Sequence, residues 1–318
     1  MRQNGKLTER NRDRALGCLV GGAVGDALGY AVEFEQWPYI RNTYGDKGIT
    51  RYQLAGNGKA LISDDTQMTL FTAAGILLGM TRGHMRGIMG RIDTYCHWTY
   101  LDWLHTQEWD LRKPKERTDS WLMDVPELYA HRAPGNTCLS ALKSLENNKE
   151  PQNNSCGCGG VMRTAPLAIL DYLHGYADAE YEYCDMVAAE AARITHKHPL
   201  GFLPSAVLND ILMQIFDGEI DRGTSLSDIV HNAIKRLPSI KSEVDKDRNY
   251  GELWPDEVAT LRRLLKYAME LTVRDIPDHV AIEKIGGGWT GHEALAIAVY
   301  SALKHSNNFE NAIVCSVN

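Results

Sequence analysis

Residues 17–29 read GCLVGGAVGDALG, with glycines at 17, 21, 25 and 29. A spacing of four puts these glycines on one face of a helix. A glycine inside a helix costs about 1 kcal/mol relative to alanine, so four of them in register need a packing reason. The stripe allows another backbone to approach closely. The rival reading, a dinucleotide-binding loop, requires G-x-G-x-x-G directly after a strand. This stretch has neither that spacing nor a strand pattern before it, so it is expected to be a tightly packed helix.

Helical periodicity continues through the rest of the chain. Ala206 to Phe216 places Val207, Leu208, Ile211, Leu212 and Ile215 on one face, the pattern of an amphipathic helix. Pro255 and Asp256 open a second such segment with Val258, Leu261, Leu264, Leu265 and Ala268 on its apolar side. His292 to Lys304 is alanine-rich and almost wholly apolar, as a buried helix would be. Alternating strand patterns are scarce and no internal repeat is present. Two polar stretches, Asp110 to Ser120 and Ile240 to Glu252, read as long loops, not interdomain linkers. The expectation is an all-α chain with one large domain over residues 14–318, preceded by a basic N-terminal extension over residues 1–13 that carries Arg2, Lys6, Arg10 and Arg12.

The 318 residues have a formal charge of −7, which argues against nucleic acid as the main partner. The longest apolar stretches, such as Ala294 to Leu303, fall short of the roughly 18 residues a membrane span needs, and residues 1–14 lack a signal-peptide core. Seven cysteines, an odd number in a long chain, suit free thiols in a reducing cytoplasm.

Several clusters have chemistry in them. Ser63-Asp64-Asp65-Thr66-Gln67-Met68 sets two adjacent carboxylates beside a hydroxyl. Hard oxygen donors of this kind suit Mg²⁺, but Ser63 or Asp64 as a helix N-cap, with Gln67 completing a capping box, explains the same residues. Asp26 and Glu33 are seven apart and share a face if the first helix continues; Asp26 has a structural cap as its bland reading. Ser155-Cys156-Gly157-Cys158-Gly159-Gly160 is a glycine-rich turn leading toward a helix opened near Pro166, a form that presents backbone N–H groups to an anion. Thr195-His196-Lys197-His198-Pro199 spaces its two histidines too closely to share a helical face. Tyr95, Trp98, Tyr100, Trp103 and Trp109 stack on a base or, as the default, pack a core.

The order of these motifs closely resembles the ADP-ribosylglycohydrolase family, on the side of the dinitrogenase reductase-activating glycohydrolases. It runs Gly-Asp-Ala-Leu-Gly with Glu33, Ser-Asp-Asp-Thr, Pro134 to Thr137, Asn154-Ser155 with the glycine turn and Met162-Arg163, Thr195-His196, then Gly288-Trp289 with Glu293. The resemblance implies an all-α orthogonal helical bundle with a central dinuclear site for two Mg²⁺ ions, Mn²⁺ in some members. It implies hydrolysis of ADP-ribose from a modified protein side chain, most often arginine. Ser63, Asp64 and Asp65 would be metal ligands, and Glu33 the catalytic or gating glutamate. Ser155, Gly157, Cys158 and Gly159 would cradle the diphosphate. Asn136 and Thr137 would line the ribose, and His196 would meet a phosphate. The alternative from the same resemblance is an immunity-type binding protein that neutralises an ADP-ribosyltransferase toxin by stoichiometric contact. Two departures stand out. The family's Gly-Asp-x-Asp-Thr/Ser segment, which supplies further metal ligands, would follow Asn318, where the sequence stops. Ala133-Pro134-Gly135-Asn136-Thr137 lacks the aspartate that some relatives carry there.

Overall fold

The structure is a computed structural model that describes residues 9–88, 90–107, 118–174 and 181–318. Its helices in chain order begin with α1 (Glu9–Gly29), α2 (Trp37–Tyr44), α3 (Asp64–Arg86), α4 (Ile92–Gln107) and α5 (Asn136–Glu146). Then come α6 (Ala165–His174), α7 (Tyr181–Arg193), α8 (Pro199–Phe216), α9 (Leu226–Arg236) and α10 (Tyr250–Leu253). The last four are α11 (Pro255–Leu271), α12 (Asp278–Ile285), α13 (Gly291–Lys304) and α14 (Phe309–Val317). Among the described residues β pairing is confined to three isolated bridges. The all-α expectation holds.

The centre of the bundle is α8, which packs against α6, α7, α9, α11 and α13. By length and composition α8 is apolar enough to cross a membrane, longer than the apolar runs the sequence suggested. Here it is a core helix, with Phe202, Leu203, Ala206, Val207 and Met213 buried. Its buried Asp210 carboxylate accepts from Arg236 and from Gln214 Nε2 (3.0 Å). It starts seven residues earlier than periodicity indicated because Pro199 opens it behind a His198 N-cap and it runs through Pro204. A proline inside a helix removes one N–H and frees a carbonyl four residues back, here that of Leu200. The start of α13 comes so close that a Cβ on Gly291 would lie 2.9 Å from this oxygen.

The glycine stripe of α1 has its partner in α14. Phe309 lies over Gly21, Ile313 over Gly25 and Val317 over Gly29, matching four-residue periods on two crossing helices. Asn318 completes the contact, its side-chain oxygen accepting from Ile49 N (2.7 Å) and its amide donating to Ile49 O (3.0 Å). The segment assigned to an N-terminal extension is helical from Glu9 onward and continuous with α1, and Arg10 and Arg14 both bond Asp221. Arg2 and Lys6 lie outside the described residues, as does most of the Asp110 to Ser120 stretch. The Ile240 to Glu252 stretch is a bridged turn between Lys241 and Asn249 that leads into α10, where Asn249 and Glu252 form a capping box.

A methyl group at Gly21 or Gly25 would stand 3.5 or 3.4 Å from its α14 neighbour, an ordinary contact. Gly21→Ala and Gly25→Ala are therefore expected to hold or raise thermal stability, by up to about 1 kcal/mol each from helix propensity. Gly25→Leu is expected to cost about 1–3 kcal/mol by overpacking against Ile313. Thermal unfolding of the three variants checks this; a leucine variant as stable as the alanine one would show that α14 does not close on α1.

Candidate active site

The site begins with a carboxylate that bridges two helices. Asp26, in the last turn of α1, accepts from Ser63 N (2.9 and 3.0 Å), from Thr66 N (3.1 Å) and from Thr66 Oγ1. It thus caps the start of α3 from outside, as its structural reading anticipated. Ser63 is the residue-level N-cap, its Oγ accepting from Asp65 N (3.1 Å). The expected capping box does not form. Counted from Ser63, Gln67 is one residue too late, and its side chain turns into the core. There its Oε1 accepts from Trp103 Nε1 (3.1 Å) and Gln107 Nε2 (3.2 Å), while its Nε2 donates to Ala130 O (3.0 Å).

Asp64 and Asp65 form the first turn of α3. Asp64 is 4% exposed, its N–H donates to Arg132 O (2.9 Å), and its Oδ2 accepts from Gly135 N (3.1 Å). Glu33 does not continue the first helix: α1 ends at Gly29 and Glu33 lies in the following turns. It still falls within the field of Asp26 and Asp64. Burial, then the Asp64 and Asp26 charges, push the Glu33 carboxyl up to about 7. Burial likewise raises Asp64 to about 6, against the pull of the Gly135 N–H and the Arg163 guanidinium. Asp65 is raised well above the usual carboxylate range by burial and by Asp64, Asp26 and Glu33. Glu33 Oε2 is buried without a hydrogen-bond partner. An orphaned carboxylate oxygen among three other carboxylates is a donor set that a hard divalent cation fits, because it supplies the missing counter-charge and oxygen-seeking contact. The group is loosely drawn: among the described residues, the threesome of such donors with atoms within 4.8 Å of one another is elsewhere, at Asp278, His305 and Cys315.

The remaining motifs close around this cluster. Gly135, bonded to Asp64, is the N-cap of α5, so Asn136 and Thr137 stand at that helix start. Thr137 Oγ1 donates to Ser155 Oγ (3.0 Å), which joins the ribose-side and diphosphate-side residues expected from the sequence. The glycine turn rests on His196: a Cβ on Gly159 would lie 2.9 Å from the ring and one on Gly157 3.3 Å from its Nε2. His196 is 2% exposed, and burial together with Arg163 lowers it to about 3, so the ring is neutral. It meets the turn from below as an uncharged support. Two of the turn's N–H groups are used within the fold, Gly157 N by Ser155 Oγ (3.3 Å) and Cys158 N by Trp289 O (3.0 Å). The 3-10 helix Cys158–Arg163 follows at once. Burial pushes the Cys158 thiol up to about 12, so it is a neutral wall of the turn.

Four residues act here that sequence reasoning left without a role. Arg163 is fully buried, stacks 4.4 Å over Tyr100 and donates to Thr195 Oγ1 (2.6 Å) and to the Ala191 and Ala192 carbonyls (3.3 Å each). Asn153 anchors the turn: its amide donates to Thr195 O (2.9 Å), and its oxygen accepts from Ser155 N (3.1 Å) and Lys197 N (3.2 Å). Phe34 and Trp289, both exposed, stack at 5.7 Å beside Glu33 and the turn. Trp289 was visible as part of a motif; Phe34 had no signal beyond its place next to Glu33. Tyr95, Tyr100 and Trp103 are buried in the core, with Trp98 packed against it, and Trp109 lies outside the described residues.

The ADP-ribosylglycohydrolase family model matches residues 7–318. Over 216 residues the chain is 29% identical to the ADP-ribosyl-(dinitrogen reductase) glycohydrolase of Rhodospirillum rubrum, covering 65% of this chain and 59% of that protein. The chain thus spans about three-fifths of the length of the curated relative it matches.

Glu33 is more basic folded than free, so the native state holds protons that the unfolded chain has already released. In the cation-free protein its contribution to stability is therefore largest below about 4.5 and is lost as pH rises toward about 7. The fall in melting temperature over that window is expected to be shallower in Glu33→Gln than in the parent. Thermal scans in chelator at matched ionic strength test this; identical slopes would show that Glu33 does not titrate in the cluster.

Proposed function

The chain belongs to the ADP-ribosylglycohydrolase family, and on that premise we propose that it hydrolyses ADP-ribose from modified protein side chains, arginine first among them, with Mg²⁺ as its cation. The observation that carries the reading is the convergence of the carboxylate cluster, the start of α5 and the glycine turn. The orphaned Glu33 oxygen lies in the field of Asp64, Asp64 bonds Gly135 ahead of Thr137, and Thr137 bonds Ser155 of the glycine turn. The carboxylates, the start of α5 and the glycine turn are thus neighbours, which supports a site that takes a ribose and its diphosphate together.

Asp64 and Asp65 would hold the cation, with Ser63 beside them and two ions as the expected complement. Bound there, it would supply positive charge to orient ribose hydroxyls and to neutralise the cluster. The chain's own groups do the rest. Thr137 presents its hydroxyl to the sugar, and Ser155 with the start of the 3-10 helix at Gly159 presents hydroxyl and backbone to the diphosphate. Cleavage passes through an oxocarbenium-like state at the ribosyl C1″. The C1″–N bond breaks, the guanidine nitrogen keeps the electron pair, and a water oxygen bonds to C1″. Glu33, held near neutrality by burial, takes the water proton, which the released guanidine then recovers.

Asp64→Ala and Asp65→Ala are each expected to reduce release of ADP-ribose from ADP-ribosyl-arginine to background in the whole protein with Mg²⁺ supplied. Glu33→Gln keeps size but cannot accept a proton, so kcat should fall about 10²- to 10⁴-fold with ADP-ribose affinity little changed. Full turnover in either aspartate variant would leave Ser63 to Asp65 as a helix start and nothing more. Equal losses of turnover and binding in Glu33→Gln would make Glu33 a substrate-binding residue.

A further inference from the structure

We propose that Asp278, His305 and Cys315 form a second cation site, for a borderline-soft ion of the zinc class, separate from the hard carboxylate cluster. The three come from the start of α12, the residue after α13 and the last turns of α14. A carboxylate oxygen, an imidazole nitrogen and a sulfur all lie within 4.8 Å of one another. His305 Nε2 stands 2.8 Å from Asp278 Oδ2. Oxygen, nitrogen and sulfur in one group is the donor set of tetrahedral Zn²⁺ sites and is foreign to Mg²⁺.

Outer contacts orient the donors in the way metal ligands are oriented. Tyr300 OH donates to Asp278 Oδ1 (2.7 Å), leaving Oδ2 toward His305, and Ser301 Oγ donates to Cys315 Sγ (3.4 Å). The three donors line a cavity of about 670 Å³, which leaves room for water as a fourth ligand. The start of α13 pairs with the glycine turn through Gly291 N and Cys156 O (2.8 Å), while His305 follows its other end. Fourteen residues of helix separate the two by about 20 Å.

The cluster does not read as a nucleophile. Burial pushes the Cys315 thiol up to about 12, and the carboxylate it faces is Asp278. Binding would exchange the S–H bond for a metal–sulfur bond and release one proton to solvent, with no change of oxidation state. The ion would tie α14, the helix that lies on the α1 glycine stripe, to α12 and α13.

The test is titration of the chelator-stripped protein with Co²⁺, read by its tetrahedral d–d bands and the sulfur-to-cobalt charge-transfer band, followed by displacement with Zn²⁺. One equivalent, read by the tetrahedral bands and thiolate charge transfer, is expected. Cys315→Ser should abolish the charge-transfer band and His305→Gln should abolish the tetrahedral spectrum, while Asp64→Asn leaves both intact. Far-UV circular dichroism verifies that each variant is folded, and the histidine variant stands in if the cysteine one is not. Absence of a thiolate band in the parent, or a band unchanged in Cys315→Ser, overturns the proposal.

Discussion

One carboxylate joins the two helices on which the site depends. Asp26 accepts two backbone N–H groups and a hydroxyl from the first turn of α3 while belonging to α1. Helix N-termini leave N–H groups unpaired and carry partial positive charge, so this is where a buried carboxylate is best tolerated. The consequence is geometric. With the end of α1 pinned to the start of α3, Asp64 and Asp65 are brought within the field of Glu33, which follows α1 by one short turn. The glycine stripe has the same effect from the other side, since only small residues let α14 settle on α1 and hold it against the bundle.

Collecting four carboxylates has an electrostatic cost, and the fold offsets part of it with one buried cation. Arg163 ends the 3-10 helix after the glycine turn, and its guanidinium is held by carbonyls, Thr195 and the Tyr100 face. A cation so placed lowers the proton affinity of both Asp64 and His196. It therefore favours the ionised carboxylate on one side and the neutral imidazole on the other. The remaining imbalance is visible in the raised carboxyls of Glu33, Asp64 and Asp65 and in the unpartnered Glu33 oxygen. Buried charge without its partner is the least stable arrangement a protein can hold, and a divalent ion is the remedy that matches the donors.

What the sequence made legible follows its local periodicities. The helices α11 and α13 and the glycine stripe were readable because 3.6-residue spacing is a property of the chain alone. Local capping was half readable. Ser63 was named as a cap and as a ligand, and the two roles are compatible, since a hydroxyl oxygen that accepts from Asp65 N retains a second lone pair. The capping box failed by a register of one residue. Pro204 hid the first turns of α8, because a proline ordinarily argues against a helix interior. Asn153, one residue before the asparagine quoted in the motif, anchors the turn, and Phe34 finds Trp289 across some 255 residues of chain; contacts of that kind leave no spacing to read.

The same reason explains why Asp278, His305 and Cys315 were invisible as a group. They are 27 and 10 residues apart, each unremarkable in its local sequence, and only the packing of α12, α13 and α14 brings them together. The two donor sets divide along chemical hardness. The carboxylates gather at the start of α3, where N–H groups and Arg163 make negative charge bearable. The sulfur and nitrogen donors gather where α13 ends and a helix C-terminus favours a cation. An all-α bundle has no sheet edge to organise such sites, so it uses helix ends, and the sign of the dipole at each end sorts which ligands are stable there.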